Sequence, residues 1–157
     1  YALIYGAGDS KIGGIVKGSK AEGRRLRERF LSRTPSFKSL RRRVDRASQR
    51  GHLKGLDGRK ITIRHQHAAL NSLLQGGGAI VMKRGLVILN NKLSKMGLDY
   101  KFVANIHDEW QLEVKEDQAH IIGTLAVESL RETAAYYTMR CPLDAEYKIG
   151  VNWSETH

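Results

Sequence analysis

The chain has 157 residues, enough for one domain with a real core. Its 27 lysines and arginines against 16 acidic residues give a net charge of +11, which favours a polyanion, either nucleic acid or an anionic membrane surface. No apolar run reads as a membrane span, no basic-then-apolar leader opens the chain, and the single cysteine, Cys141, excludes an internal disulfide and fits a reducing cytoplasm.

Cys141 itself reads as a small packed residue. The chain opens on Tyr1 rather than methionine, so a truncated, processed or split product is expected. Tyr1–Gly8 reads YALIYGAG. If it ends a helix, Tyr1 and Tyr5 share one face, and Gly6 and Gly8 terminate it. Core tyrosines at a helix terminus also explain the spacing. Ser19-Lys20-Ala21-Glu22 fits a capping box, with a helix to about Ser32. It carries Arg24, Arg25, Arg27, Arg29 and Arg33. Thr34-Pro35 restarts the pattern, with Thr34 as N-cap and Pro35 at the first helical position. That helix runs to about Arg50 and carries Lys38, Arg41, Arg42, Arg43, Arg46 and Arg50. Phe37, Leu40, Val44 and Ala47 keep helical spacing. Solvated basic faces would explain both helices, but charge of nearly one sign favours phosphate contact.

Leu53–Arg64 (LKGLDGRKITIR) reads as a hairpin, with Asp57-Gly58 as a two-residue turn. Ile61 and Ile63 alternate with Lys60, Thr62 and Arg64, leaving a basic exposed side to which Arg59 adds. A long helix is expected from about His67 to Met96. Met82, Leu86, Leu89, Leu93 and Met96 make its apolar stripe. His67, Asn71 and Gln75 recur every four residues and can donate and accept hydrogen bonds. At ~1.5 Å per residue the row covers roughly 12 Å, three or four base steps of about 3.4 Å. Neutral donors along a minor groove could check pair shape without reading sequence. A polar helix face in water is the alternative. Gly76-Gly77-Gly78 costs roughly 1 kcal/mol per residue against alanine, which close approach of another backbone or of DNA, or a local kink, would explain.

Phe102–Gln111 (FVANIHDEWQ) is the stretch around which the chain is organised. Strand-forming residues flank His107, Asp108 and Glu109, with no glycine or proline between them. A merely connecting turn would use Gly, Asn or Pro. The three residues therefore read either as a site, with carboxylates suited to magnesium, or as solvated turn residues. A helix follows over Asp117–Tyr137, with Ile122, Leu125, Ala126, Leu130 and Tyr137 inward. Leu143–Ile149 reads as a last strand. Asn152-Trp153 and His157 close the chain.

In this order the residues resemble the C-terminal polymerase region of family A DNA polymerases, the bacterial DNA polymerase I type and the related phage replicative enzymes, with the phage branch nearer. The resemblance covers essentially the whole chain. It is most specific in YALIYGAGDSKIG, GLDGRK, HAALNSLLQGGGA and IHDEWQ. It implies an α+β fold: a partial palm, with an antiparallel carboxylate hairpin packed on a long helix, plus a helical portion of the fingers. Residues 1–51 would be the fingers part and 52–157 the palm part.

The resemblance also implies roles. Asp108 would ligate catalytic magnesium and Glu109 would support it, through water if not directly. His107 would lie against the primer end. His67, Asn71 and Gln75 would face the minor groove of the new duplex, with Arg59, Lys60 and Arg64 on DNA nearby. Bacterial members usually carry arginine at the first of these, so His67 departs with the phage branch. Tyr1 would lie against the sugar of the incoming nucleotide and Tyr5 would stack near the template base. Ala2 stands where many members have glycine. The chemistry is template-directed phosphoryl transfer, with two metal ions activating the primer 3′-hydroxyl and stabilising pyrophosphate.

The family also uses a second palm aspartate and a lysine and arginine on the fingers helix, none of which this sequence contains. The chain is therefore expected to be inactive alone and to need a complementary N-terminal polymerase chain or fragment, beside primer–template DNA and dNTP. Self-association through an open strand edge is a further expectation. The setting implied is the cytoplasm of a bacterial or phage-infected cell, with no membrane partner. The competing readings are a non-catalytic basic DNA-binding module, which has no need of carboxylates beside phosphates, and a one-metal nuclease using His107 and Asp108, which lacks further ligands.

Overall fold

The computed structural model describes residues 2–156. Tyr1 and His157 lie outside them, and with them the nucleotide-sugar role expected of Tyr1. The chain forms two compact units, Tyr1–Gly76 and Gly77–His157. Residues 52–76 pack with the N-terminal helices in the first unit.

In the first unit, residues 2–6 form turns closed by two hydrogen bonds, Gly6 N–H to the Leu3 carbonyl at 3.4 Å and Ala7 N–H to the Ala2 carbonyl at 2.9 Å. This is the Schellman pattern, and Gly6 takes the required left-handed backbone at φ +80°. Gly6 therefore ends the turn as expected. Gly8 instead N-caps α1 (Asp9–Ile15), a helix the sequence pattern did not announce. Its two glycines weaken helical propensity, but one of them is needed for packing. A Cβ at Gly13 would overlap the Ser19 carbonyl, and one at Gly23 the Asp9 carbonyl. So α1 and α2 (Lys20–Arg33) approach backbone to backbone, and Arg27 closes the contact on Asp9 at 3.1 Å.

Ser19 caps α2 as expected, accepting the Glu22 N–H at 3.2 Å. Thr34 stands at the N-cap of α3 (Pro35–Ser48) with Pro35 at the start of the helix, as expected, but its side chain makes no capping bond. Its hydroxyl donates backwards to the Phe30 carbonyl at 2.7 Å, satisfying the end of α2 instead. The apolar face of α3 is as expected. Val44 is buried with Leu53, Ala69 and Leu70, and Phe37, Leu40 and Ala47 pack against them.

Strands β1 (His52–Lys54) and β2 (Lys60–Thr62) pair antiparallel with Lys54 opposite Lys60. The turn is not the expected two-residue type. Gly58 N–H bonds the Gly55 carbonyl at 3.0 Å, and Gly55 N–H bonds the Arg59 carbonyl at 2.8 Å. Leu56, Asp57 and Gly58 thus form a three-residue loop, with only Gly58 left-handed at φ +87°. Ile61 and Ile63 turn inward, while Lys60, Thr62 and Arg64 stay exposed. A 3-10 turn at Gln66–Ala68 leads into α4 (Ala69–Lys95), so the long helix opens with a tighter turn than expected.

In the second unit α4 meets the hairpin of β3 (Tyr100–Ile106) and β4 (Glu109–Val114), and α5 (Ala119–Tyr136). Leu89, Leu93 and Ile122 form its core, with Phe102, Trp110, Leu112 and Leu125 packed around them. Val103 is an extra residue in β3, since Phe102 pairs with Leu112 and Ala104 with Gln111. Lys92 lies 2.6 Å from Glu132 and 3.2 Å from Glu128, tying α4 to α5. Burial works to lower the Lys92 ammonium, but the two carboxylates outweigh it and hold it above its ordinary value. The Arg84 guanidinium lies 3.7 Å from the Tyr136 ring centroid.

Three expectations fail in this unit, and one fails in the long helix that runs through both. Residues 143–149 are irregular rather than a strand. Tyr147 rests instead on α5, its ring against Gly123 and its hydroxyl 3.3 Å from His120. Cys141 is exposed, not packed. Met96 is 50% exposed and leaves the apolar stripe, because Gly97 turns the chain at φ +65° immediately after it. Finally, Gln66–Lys95 is long and apolar enough to cross a membrane by length and composition. Part of that apolar surface is packed: Leu70 belongs to the first core cluster, Leu89 and Leu93 to the second. The fold is α+β, with two separate two-stranded sheets among the described residues. Both strands of each are edges.

Gly85 is buried where a Cβ would meet the Trp110 ring at 2.7 Å. Gly78 has no atom within 4 Å of that position. Gly85→Ala should therefore destabilise by about 1–3 kcal/mol through overpacking. Gly78→Ala should stabilise by about 0.5–1 kcal/mol through helix propensity. Urea unfolding of the two variants reads both signs.

Candidate functional site

The sequence-derived site residues fall into two groups, one in each unit. In the first, the row begins at His67 in the 3-10 turn and continues through Asn71 and Gln75 on α4. His67 and Gln75 are exposed and Asn71 is half-buried. The amide side chains of Asn71 and Gln75 make no hydrogen bond among the described residues. The His67 ring stacks on His65 at 5.6 Å between centroids. A Cβ at Gly6 would lie 3.5 Å from the His67 carbonyl, so the Tyr5–Gly6 turn sits beside the start of the row. Tyr5 is 41% exposed. Gly76 faces the Ile61 side chain, which a Cβ at Gly76 would meet at 3.4 Å, an ordinary contact distance, whereas Gly77 and Gly78 meet nothing within 4 Å.

The cations around this row differ in availability. Arg59 is engaged by Asp57, its Nε 2.7 Å from the carboxylate. Partial burial works to raise the Asp57 carboxyl, but the Arg59 N–H and guanidinium outweigh it and hold it below its ordinary value. Lys60 and Arg64 are exposed and form no ion pair among the described residues. On α2, Arg24, Arg25 and Arg27 are matched to Glu28, Glu22 and Asp9. On α3, Lys38, Arg42, Arg43 and Arg46 are exposed without an ion pair among the described residues. Lys38, Arg42 and Arg46 recur every four residues, so they share one face.

The second group sits on the β3–β4 hairpin. Ile106 pairs with Glu109, leaving His107 and Asp108 as a two-residue turn. Short hairpin turns of this kind need positive φ, and His107 supplies it at φ +50°. Glycine would adopt that conformation freely, whereas a Cβ there is strained. His107 and Asp108 are exposed. The Asp108 carboxylate has no hydrogen bond or ion pair among the described residues. Glu109, the first residue of β4, differs. Its Oε1 accepts from Gln111 Nε2 and, at 3.1 Å, from the Trp153 indole N–H. Thr156 Oγ1 donates to Gln111 Oε1 at 3.4 Å, so the short helix α6 (Trp153–Thr156) is tied to the same strand. Trp153 and Gln111 carried no expectation of a role. Trp153 is 44 residues from Glu109, and no local pattern links them.

The donor set fits part of a divalent-cation site. Asp108 is an exposed hard ligand at the tip of a two-residue turn, and Glu109 is beside it. Among the described residues no group of three or more His, Cys, Asp or Glu side chains could hold a metal ion. Asp108 thus fits as one ligand, and the described residues do not complete the shell.

The chain matches the family model of DNA polymerase family A over residues 1–155. It is 38% identical to a DNA-directed DNA polymerase of Enterobacteria phage T3, covering all of this chain and 25% of that protein. It is 37% identical to the DNA-directed DNA polymerase of Escherichia phage T7, again over the whole chain and 25% of the relative. DNA polymerase I of Pseudomonas aeruginosa is 29% identical, with 18% of its length covered. The chain therefore spans about a quarter of the phage relatives it matches. In fold it is similar to the POL domain of Pol1 from M. smegmatis, solved in complex with DNA primer–template and dNTP. The TM-score is 0.78 at 22% identity, covering 93% of this chain and 27% of that one.

The strained turn gives a test of its own. Replacing His107 by glycine removes the left-handed strain, so His107→Gly should raise stability by up to about 1 kcal/mol, net of the unfolded-state entropy that glycine adds. Urea unfolding monitored by far-UV circular dichroism checks the sign.

Proposed function

The chain belongs to DNA polymerase family A, and from that premise we propose that it supplies the duplex-binding row and one catalytic carboxylate of a DNA-directed DNA polymerase. The observation that carries this reading is Asp108. It is an exposed, unpartnered carboxylate among the described residues, set at the tip of a strained two-residue turn. A solvated connecting turn gains nothing from that strain, whereas a ligand that must be held in one place does.

The substrates would be primer–template DNA and a deoxynucleoside triphosphate. His67, Asn71 and Gln75 would lie along the minor groove and offer neutral donors to purine N3 and pyrimidine O2. Lys60 and Arg64 would meet phosphates beside them, and Arg59 would first have to leave Asp57. Tyr5 would stack near the template base, and Tyr1 against the nucleotide sugar. His107 would lie against the primer end. The residues 1–51 would serve as fingers and 52–157 as palm. Bound magnesium supplies charge neutralisation at the attacking and leaving oxygens. Asp108 would hold it from one side, and Glu109 would orient its water. The remaining ligands would come from a complementary N-terminal polymerase segment, so the 157 residues would not polymerise alone.

A second reading, a non-catalytic basic DNA-binding module, draws on α3, whose Lys38, Arg42 and Arg46 present one cationic face with no ion pair among the described residues. The two readings separate in one experiment. Primer extension with magnesium should be absent for this chain alone and appear when an N-terminal palm–fingers–thumb fragment of a phage relative is added. Asp108→Ala should lower that activity by more than about a hundredfold. No extension from the mixture, with DNA binding intact or strengthened in Asp108→Ala, would establish the module instead. The α3 face is read separately: exchanging Lys38, Arg42 and Arg46 for glutamine should flatten the slope of log K against log salt by roughly 0.9 for each duplex phosphate no longer neutralised.

A further inference from the structure

Strand alternation puts Glu109 and Gln111 on one face of β4, with Trp110 on the other against Gly85. The Glu109–Gln111 face meets α6. Two N–H donors, from Gln111 and Trp153, converge on Glu109 Oε1. One carboxylate oxygen has two lone-pair directions, so this oxygen is committed to the protein. The turn that brings Trp153 there is itself fixed. The Glu155 carboxylate takes the Val151 N–H at 3.0 Å and the Asn152 side-chain N–H at 3.0 Å. The single Thr156 hydroxyl proton is shared between Gln111 Oε1 and the Trp153 carbonyl, closing a ring of contacts through Glu109, Trp153, Thr156 and Gln111.

We infer that Trp153 is a positioning residue: its indole N–H, backed by the Gln111–Thr156 contact, sets the orientation of the Glu109 carboxylate beside Asp108. Its bearing on catalysis rests on the polymerase reading above; the clamp itself does not. A carboxylate one bond longer than Asp108 and adjacent to it has the freedom to swing onto the same cation. Two fixed donors remove that freedom. Asp108 is then left as the direct ligand, and Glu109 is kept as an oriented acceptor. Outer contacts of this kind are the usual means by which a protein aims a carboxylate at a metal.

The clamp is measured without metal or DNA. The two tryptophans, Trp110 and Trp153, give two indole N–H resonances, assigned with Trp153→Phe. In Glu109→Ala the Trp153 indole should shift and exchange with solvent at least about tenfold faster, while Trp110 stays in place. Glu109→Gln, which preserves shape, should give a smaller change in the same direction and serves if the alanine variant does not fold. An unmoved Trp153 indole in both variants overturns the inference. In the complemented enzyme, Trp153→Phe keeps the ring and removes the donor. It should lower kcat about tenfold with the dNTP KM unchanged. An equal fall in the Glu109→Gln background would make Trp153 merely structural and also overturn it. If the wild-type mixture does not extend primers, the polymerase reading fails, and the indole measurement still decides the clamp.

Discussion

The contact on which the second unit depends is that of Trp110 with Gly85. A helix carrying any side chain at position 85 would push the ring away, because a Cβ would sit 2.7 Å from it. Glycine lets the Trp110 ring of β4 lie directly on α4. Trp110 immediately follows Glu109 and lies two residues beyond Asp108, so seating its ring fixes the base of the turn. Leu89, Leu93 and Ile122 complete the floor beneath the hairpin. The arrangement has a cost. Trp110 Nε1 is buried without a hydrogen-bond partner among the described residues, a loss of about 1–3 kcal/mol. Apolar burial of so large a ring offsets it.

Alternation along β4 converts that single contact into a division of labour. With Trp110 facing the core, Glu109 and Gln111 must face away from it. Two neighbouring carboxylates on a regular strand would point to opposite faces and could not act together. Here Asp108 is not on the strand at all. It stands in the turn, held there by the left-handed backbone of His107. The register of Ile106 with Glu109 therefore decides which carboxylate is presented to solvent and which is turned toward α6.

Much of this was legible in the sequence, and the failures have a common cause. Long periodic segments announced themselves: α2, α3, α4, α5 and both hairpins. So did the Ser19 cap and the alternation of Ile61 and Ile63, because each is set by neighbours within a few residues. What was missed depends on distant partners. Helix α1 exists because Gly13 and Gly23 let two backbones touch, and a propensity scale reads those same glycines as breakers. Thr34 looks like a cap, but the Phe30 carbonyl competes for its hydroxyl. The 143–149 segment has strand residues and no strand beside it among the described residues, so Tyr147 packs on α5 instead. The carboxylate turn was legible from His107, Asp108 and Glu109 alone. The hold of Trp153 on Glu109 spans 44 residues and has no local signature.

Charge follows the same logic of local against distant partners. A net charge of +11 says nothing of which cations are available. On α2 the acids lie three or four residues from Arg24 and Arg25 or, for Arg27, across the α1 contact, and these three are matched, whereas Lys20, Arg29 and Arg33 form no ion pair among the described residues. The only acid on α3 is Asp45, which forms no ion pair among the described residues. The hairpin divides similarly, with Arg59 drawn onto Asp57 at 2.7 Å and Lys60 and Arg64 left unmatched. Exposed pairs contribute little to stability, with a median of about 0–1 kcal/mol. Their consequence here is electrostatic: they subtract cations from the field that a polyanion meets. The cations without an ion pair among the described residues, including Lys20, Arg29 and Arg33 on α2, those of α3, and Lys60 and Arg64, rather than the total, are what the first unit offers to phosphate.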